Sequence, residues 1–217
     1  MLFGSICYLN LLPFQLFLKR RLKSSSAKMG FRYKRAVPSK INLLLKRREV
    51  DAGFISSIAS QKFKCTNLGI IAYKKVYSVL VLPQEEAADP ASATSNALAK
   101  LLHIEGKVII GDAALKHYLD EKEGVDLAEA WHQQTGLPFV FGRLCYNKHG
   151  KAIEKLAKKF ARTKMKIPQY ILKKEAKKRD ISPEQLSWYL EHIYYKMEEK
   201  ENRSLRLFLK RSKKCRK

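Results

Sequence analysis

From Leu2 to Tyr146, short apolar runs ending in small polar residues alternate with segments of helical spacing, and this alternation constrains the fold more than any other feature of the chain. LFGSIC is a buried strand. The next stretch, NLLPFQLFLKRRL, sets Leu11, Phe14, Gln15 and Leu18 at helical spacing with Pro13 in the first turn, where its missing N–H costs no hydrogen bond. FRYKRAV alternates like a strand, Pro38-Ser39 caps the helix KINLLLKRREV with Ile41, Leu44 and Leu45 on one face, and VDAGFIS, GIIAY and VYSVLVL are further strands. A strand, helix, strand succession buries a sheet between helical layers, so the expected class is α/β, a mixed sheet with helices on both faces.

The polar stretch PQEEAADP, Pro83 to Pro90, breaks the pattern. Beyond it ASATSNALAKLL is a helix with Leu98, Leu101 and Leu102 inward, KVIIGDAALKHYL is a strand passing through Gly111 and Asp112 into a helix, and TGLPFVFGRLCY is a last apolar strand. The break at 83 and the Gly-Leu-Pro at 136–138 have the look of two crossings of a hinge. They divide the chain into one lobe of residues 1–82 and 140–217 and a small second lobe of residues 83–139. The remaining residues are expected to be helical, with one stripe at Ile153, Leu156, Ala157 and Phe160 and another at Leu186, Tyr189, Leu190, Ile193, Tyr194 and Met197, both of them core contacts. Ser182-Pro183-Glu184-Gln185 is a capping box.

No apolar run approaches the roughly 20 residues that cross a bilayer, and Asn10 and Pro13 interrupt the only candidate export segment, so a cytoplasmic protein without a membrane partner is expected. Cys7, Cys65, Cys145 and Cys215 lie far apart and form no C-x-x-C pair, which predicts free buried thiols rather than a zinc site or a disulfide framework. The net charge of +24 is concentrated in residues 143–217, with 24 Lys/Arg against 8 Asp/Glu. Such a balance attracts polyanions. Yet no zinc finger, RNP strand or GXXG loop is present and the Lys runs fall on polar helix faces, so a solvated cationic surface is preferred to a nucleic-acid site and no nucleic-acid partner is expected; a further benefit of such a surface is the steering of an anionic small substrate. Nucleophile-elbow, H-E-x-x-H, Walker and dinucleotide motifs are all missing, and the five His residues have no metal-ligand spacing, so neither metal nor cofactor is expected.

Four junctions do carry small polar groups: Ser5, Tyr8 and Asn10; Ser56 and Ser57; Ser78; and Ser92, Thr94 and Ser95. Singly, each is explained as a helix cap. Together they lie at strand ends and helix starts, where an open α/β sheet forms its crevice and free N–H groups seat a carboxylate or phosphate, which points to a small anionic ligand.

The motifs GSICYLNLLP at 4–13, PSKIN at 38–42, VDAGFISS at 50–57, LGI at 68–70 with YSV at 77–79, SATS at 92–95, IGDAAL at 110–115 and DLAEAWHQQTGLPFVF at 126–141 occur in an order that resembles the chorismate dehydratases of the futalosine route to menaquinone. The resemblance covers residues 1 to about 200. It implies a two-lobed, periplasmic-binding-protein-like fold working inside the cell, and a hydro-lyase that removes water from chorismate to give 3-enolpyruvylbenzoate. The related dihydroxynaphthoate synthases typically carry Cys-Pro-Asn-Asp at the first strand end, where this chain has Tyr8-Leu9-Asn10. The resemblance further implies that Asn10 and Ser78 are catalytic, with Tyr8 beside Asn10, Thr94 and Ser95 on one substrate carboxylate and Ser56 and Ser57 on the other. Ser5, Ser92 and Asp112 complete the expected substrate contacts. The segment between Leu102 and Lys107 is shorter than is usual in the family, which makes the second lobe small, and the oligomeric state is left open.

Overall fold

The computed structural model describes residues 1–22 and 30–215. Strand β1 (Leu2–Ser5) enters a 3₁₀ turn (Leu9–Leu11) and helix α1 (Leu12–Arg21). β2 (Arg32–Arg35), α2 (Pro38–Lys46), β3 (Ala52–Ser56), the short α3 (Ser57–Ser60) and β4 (Lys64–Ala72) follow. The chain returns to the same sheet with β8 (Phe139–Tyr146), and α7 (Gly150–Ala161), α8 (Gln169–Lys177), α9 (Pro183–Glu191), β9 (Tyr194–Lys196) and α10 (Glu199–Lys214) complete this lobe. Its six strands are ordered β2-β1-β3-β8-β4-β9, parallel among the first three and antiparallel at β8 and beyond. Between β4 and β8 lie β5 (Val79–Leu82), α4 (Ala93–Leu102), β6 (Lys107–Ile110), α5 (Gly111–Leu119), β7 (Val125–Asp126) and α6 (Leu127–Thr135), whose strands form a separate sheet ordered β6-β5-β7. Mixed sheet and two lobes are thus as expected of the class.

Four expectations are corrected. Only the VLVL of VYSVLVL is a strand, β5, and it is the central one of the second sheet, so the first crossing between sheets falls between Ala72 and Val79 and not at Pro83. Pro83–Pro90 is a connection inside the second lobe, where Ala87 bridges Lys107; its polarity marks exposure to solvent, not a boundary. Ser39 lies inside α2, whose capping position is Val37 and whose first turn holds Pro38, without a side-chain cap. The helical stripe expected through Met197 stops with α9 at Glu191, because Tyr194–Lys196 pairs with the open edge of β4, a position that suits an aromatic run. Finally, the thiols are not all free and buried. Cys65 and Cys145 are partners in the β4–β8 register and are joined by a disulfide across a sequence separation of 80, whereas Cys7 and Cys215 are free and exposed.

A single apolar cluster runs through both lobes, from Phe3, Phe14 and Phe54 to Leu98, Leu127 and Trp131. Phe14 stands edge-on to Phe54 and Phe160 at 5.0 Å, which seats α1 between β3 and α7. Trp131, with no exposed surface, binds the second lobe to the first. Its ring meets Phe139 and Phe208 edge-on, and its indole N–H donates to Ser204 Oγ at 2.9 Å. Trp131→Ala is expected to lower the free energy of unfolding by about 3–5 kcal/mol, read as a reduced midpoint in urea denaturation.

Candidate active site

Where β1 ends, the chain must turn before α1 starts. Tyr8 keeps an extended backbone, and its carbonyl accepts from Leu11 N–H at 3.1 Å to close the 3₁₀ turn that carries Asn10. Three further bonds hold this turn from outside. The hydroxyl of the half-buried Tyr195 donates to the Asn10 carbonyl at 2.6 Å, Gln15 Nε2 donates to the Ile6 carbonyl at 2.7 Å, and Leu9 N–H donates to Asp112 Oδ1 at 3.0 Å. With its backbone anchored in this way, Asn10 has a side-chain oxygen that is buried and has no hydrogen-bond partner. An orphaned acceptor of this kind costs about 1–3 kcal/mol and calls for a reason.

Asn10 faces a cleft between the lobes that encloses about 60 Å³ and is also lined by Tyr8, Ser56, Ser78, Ser92, Ser95, Pro38, Gly111 and the apolar side chains of Ile6, Ile55, Ile70, Val76, Val79, Ile110 and Phe141. None of its lining residues is Asp, Glu, His, Lys or Arg. The polarity comes from hydroxyls, amides and helix starts: Pro38, Ser92 and Gly111 stand at the N-termini of α2, α4 and α5, whose partial positive charges converge on the cleft. A larger hollow of about 550 Å³, between the end of α7 and β9, contains none of the cleft hydroxyls.

The hydroxyls are set from behind. Ser56 Oγ accepts from Asn42 Nδ2 at 2.8 Å, while Ser56 N–H donates to Asn42 Oδ1 at 2.9 Å. Ser92 accepts from Ser95 N–H at 3.1 Å as the cap of α4 and passes its own proton to Ser95 Oγ at 2.7 Å. Ser56 and Ser95 therefore receive a donor at oxygen and keep their own O–H for the cleft. Ser78 shares a 2.8 Å bond with the Tyr189 hydroxyl, and its carbonyl accepts from Gly111 N–H. The residue before it, Tyr77, has φ +61, held there by Asp126, whose carboxylate accepts from Val76 and Tyr77 N–H and also caps α6. Burial, reinforced by Asp89 and Asp112, pushes the Tyr8 phenol up to about 12, so it is neutral at physiological pH.

A family model described as menaquinone biosynthesis matches residues 1–107 and 102–214. Over 98% of its length the chain is 48% identical to a chorismate dehydratase of Campylobacter jejuni, of which it covers 98%. The chain belongs to the chorismate dehydratase family of menaquinone biosynthesis. Among solved structures, a protein of Archaeoglobus fulgidus matches with a TM-score of 0.68 at 12% identity, covering 98% of this chain and 96% of that one. A Candida albicans protein described as having the generic periplasmic binding protein fold matches with a TM-score of 0.57 at 8% identity, covering 98% and 90%. The dehydratase chain thus has the periplasmic-binding-protein-like fold that its motifs imply.

Of the ten site residues expected in this dehydratase, Tyr8, Asn10, Ser56, Ser78, Ser92 and Ser95 line the cleft together. The other four do not, and each has a structural partner or position instead. Ser57 Oγ donates to the Val140 carbonyl at 2.5 Å, and Thr94 Oγ1 accepts from Ile58 N–H at 3.2 Å; both tie α3 to its neighbours. Ser5 lies within β1, beside Arg35 of β2. Asp112 accepts from Leu9 N–H and from Arg179 Nε at 2.6 Å, and Arg179 also reaches the Cys7 carbonyl at 3.1 Å, so the acid latches the second lobe to the Tyr8 turn. Sequence reasoning missed Asn42, Tyr189 and Tyr195. The available signal for Asn42 is an amide next to the buried stripe of α2; Tyr189 is hidden in an apolar stripe, and Tyr195 lies on the edge strand Tyr194–Lys196, outside any stripe.

Gly111 has φ +70, and a Cβ there would lie 2.9 Å from carbons of the Tyr8 ring. Gly111→Ala is expected to lose about 1–2 kcal/mol of stability from the left-handed backbone. It should also push the Tyr8 ring into the cleft, lowering turnover while circular dichroism stays native.

Proposed function

We infer that this chain dehydrates chorismate to 3-enolpyruvylbenzoate. The observation that carries the residue-level reading is the pairing, in one uncharged cleft, of an unpartnered acceptor on Asn10 with serine hydroxyls whose oxygens are already supplied with donors. Chorismate is complementary to that set. It presents two carboxylates, which accept, and one ring hydroxyl, which donates. Ser95 with the start of α4 takes one carboxylate and Ser56 with the start of α2 the other, which revises the expected sharing with Thr94 and Ser57. Asn10 Oδ1 accepts from the ring hydroxyl and aligns it for departure, with the neutral Tyr8 packed beside it. Ser78 donates to the charge that develops as the ring is deprotonated.

The reaction breaks the C–H bond next to the enol ether. The electron pair spreads into the ring carboxylate and then forms the ring double bond as the C–O bond of the hydroxyl breaks. Water leaves and the ring becomes aromatic. With no carboxylate or imidazole lining the cleft, the proton goes to the enolpyruvyl carboxylate of the substrate itself, which hands it on to the departing hydroxyl so that the group leaves as water. The protein's contribution is alignment and stabilisation of the delocalised anion by fixed donors. The enclosed volume is below the several hundred Å³ of a typical ligand site, so the lobes part about the 73–78 and 136–138 crossings to admit substrate. The enzyme acts in the cytoplasm on this reading. Among the described residues no helix is long and apolar enough to cross a membrane. The Cys65–Cys145 bond is uncommon where thiols are kept reduced, and neither sulfur lines the cleft.

Incubation with chorismate is expected to yield a product one water lighter by mass spectrometry; a bound but unchanged substrate would identify a binding protein instead. Asn10→Ala should lower kcat by roughly 100-fold with a native unfolding midpoint, and undiminished turnover in that variant would remove the assignment of Asn10. With Tyr8 pushed up to about 12 and no other titrating group in the lining, kcat/KM is expected to be flat between about pH 6 and pH 9. A bell centred near neutrality would instead reveal a side-chain base.

A further inference from the structure

Tyr189 lies on α9, at the position of an ordinary core residue, with 1% of its surface exposed. Its hydroxyl nevertheless meets a residue of the cleft, 2.8 Å from Ser78 Oγ, and among the described residues that is its one hydrogen-bond partner. A bond between two hydroxyls can run either way, and burial decides its direction here. If Ser78 donated, the phenol proton would have no acceptor in an apolar surround, a cost of the kind folded proteins avoid. If Tyr189 donates, its proton is satisfied and the Ser78 proton turns to the cleft that Ser78 lines.

Burial also pushes the phenol well above its ordinary range, so it stays protonated and is a permanent donor. A hydroxyl that accepts one hydrogen bond becomes a stronger donor of the next. Ser56 with Asn42 and Ser95 with Ser92 show the same construction, a serine fed at oxygen from behind.

We propose that Tyr189 is a positioning residue of the dehydration, donating its hydroxyl to Ser78 so that the Ser78 proton is aimed at the substrate and polarised toward it. This rests on the role given to Ser78 above. No proton is transferred along the pair; both bonds strengthen as the ring becomes anionic. The effect belongs to the transition state, so it should appear in kcat more than in KM.

The test is a double-mutant cycle with chorismate turnover and urea unfolding measured for each variant. Tyr189→Phe keeps the ring and removes the donor. It is expected to lower kcat roughly 10-fold with KM within about 3-fold, and to have no further effect on kcat in a Ser78→Ala background. Wild-type kcat in Y189F alongside a deficient S78A overturns the proposal and leaves Ser78 in place. Full activity in S78A instead overturns the Ser78 role and the proposal with it. An equal loss from Y189F in both backgrounds shows that the phenol acts through packing and also overturns it. Should Y189F not fold, wild-type protein labelled at the tyrosine ζ carbon answers the same question. Product binding moves the Tyr189 resonance, and S78A abolishes the movement; a resonance that stays in place overturns the proposal.

Discussion

On the proposed reading one constraint governs the structure: a dianion is held in a cleft whose lining carries no cation. Hydroxyls, amides and helix starts can do this only if their protons point the right way, and a hydroxyl proton is directed by satisfying its oxygen from behind. Asn42 and Ser92 do so for Ser56 and Ser95, and each is fixed by its own place on a helix. The geometry of the cleft is therefore set mostly by residues that line it only in part or not at all.

The same constraint explains why the two lobes share one core. A cleft read by short hydroxyls tolerates little misalignment, and the second sheet, of three strands, is packed against the first lobe through a shared apolar cluster. Trp131 fastens α6 against β8 and α10, while Asp112 and Arg179 fasten α5 to the turn after β1. Apolar packing on one side and a half-buried ion pair on the other hold the two lobes together.

On the proposed reading the net charge of +24 and the neutral lining have separate tasks. A diffuse cationic surface raises the local concentration of a dianion at low ionic strength and is screened within about 10 Å at 0.1 M salt. Inside the cleft a lysine or arginine would bind the carboxylates as tightly before the reaction as during it, and uniform binding does not lower the barrier. Neutral donors placed where charge accumulates favour the anion in preference to the ground state.

The α/β class, most of the strands and helices, the capping box at Ser182–Gln185 and the gathering of polar residues at strand ends were legible in the sequence, because each is governed by periodicity and local backbone chemistry. So was the family, through motifs that keep their order. Six of the ten expected site residues line the cleft, since strand ends in such a sheet converge by topology. What local rules do not contain is the choice among partners. Ser57 and Thr94 look like Ser56 and Ser95 in the sequence, and only the packing of α3 and α4 turns the first two inward to backbone groups. The sheet to which VYSVLVL belongs, the meeting of Cys65 with Cys145 and the addition of Tyr194–Lys196 as an edge strand are all decided by register between distant segments. Tyr189 is the clearest case: its spacing made it a core residue, and the tertiary structure set its hydroxyl on Ser78, because a buried phenol must find an acceptor wherever the fold provides one.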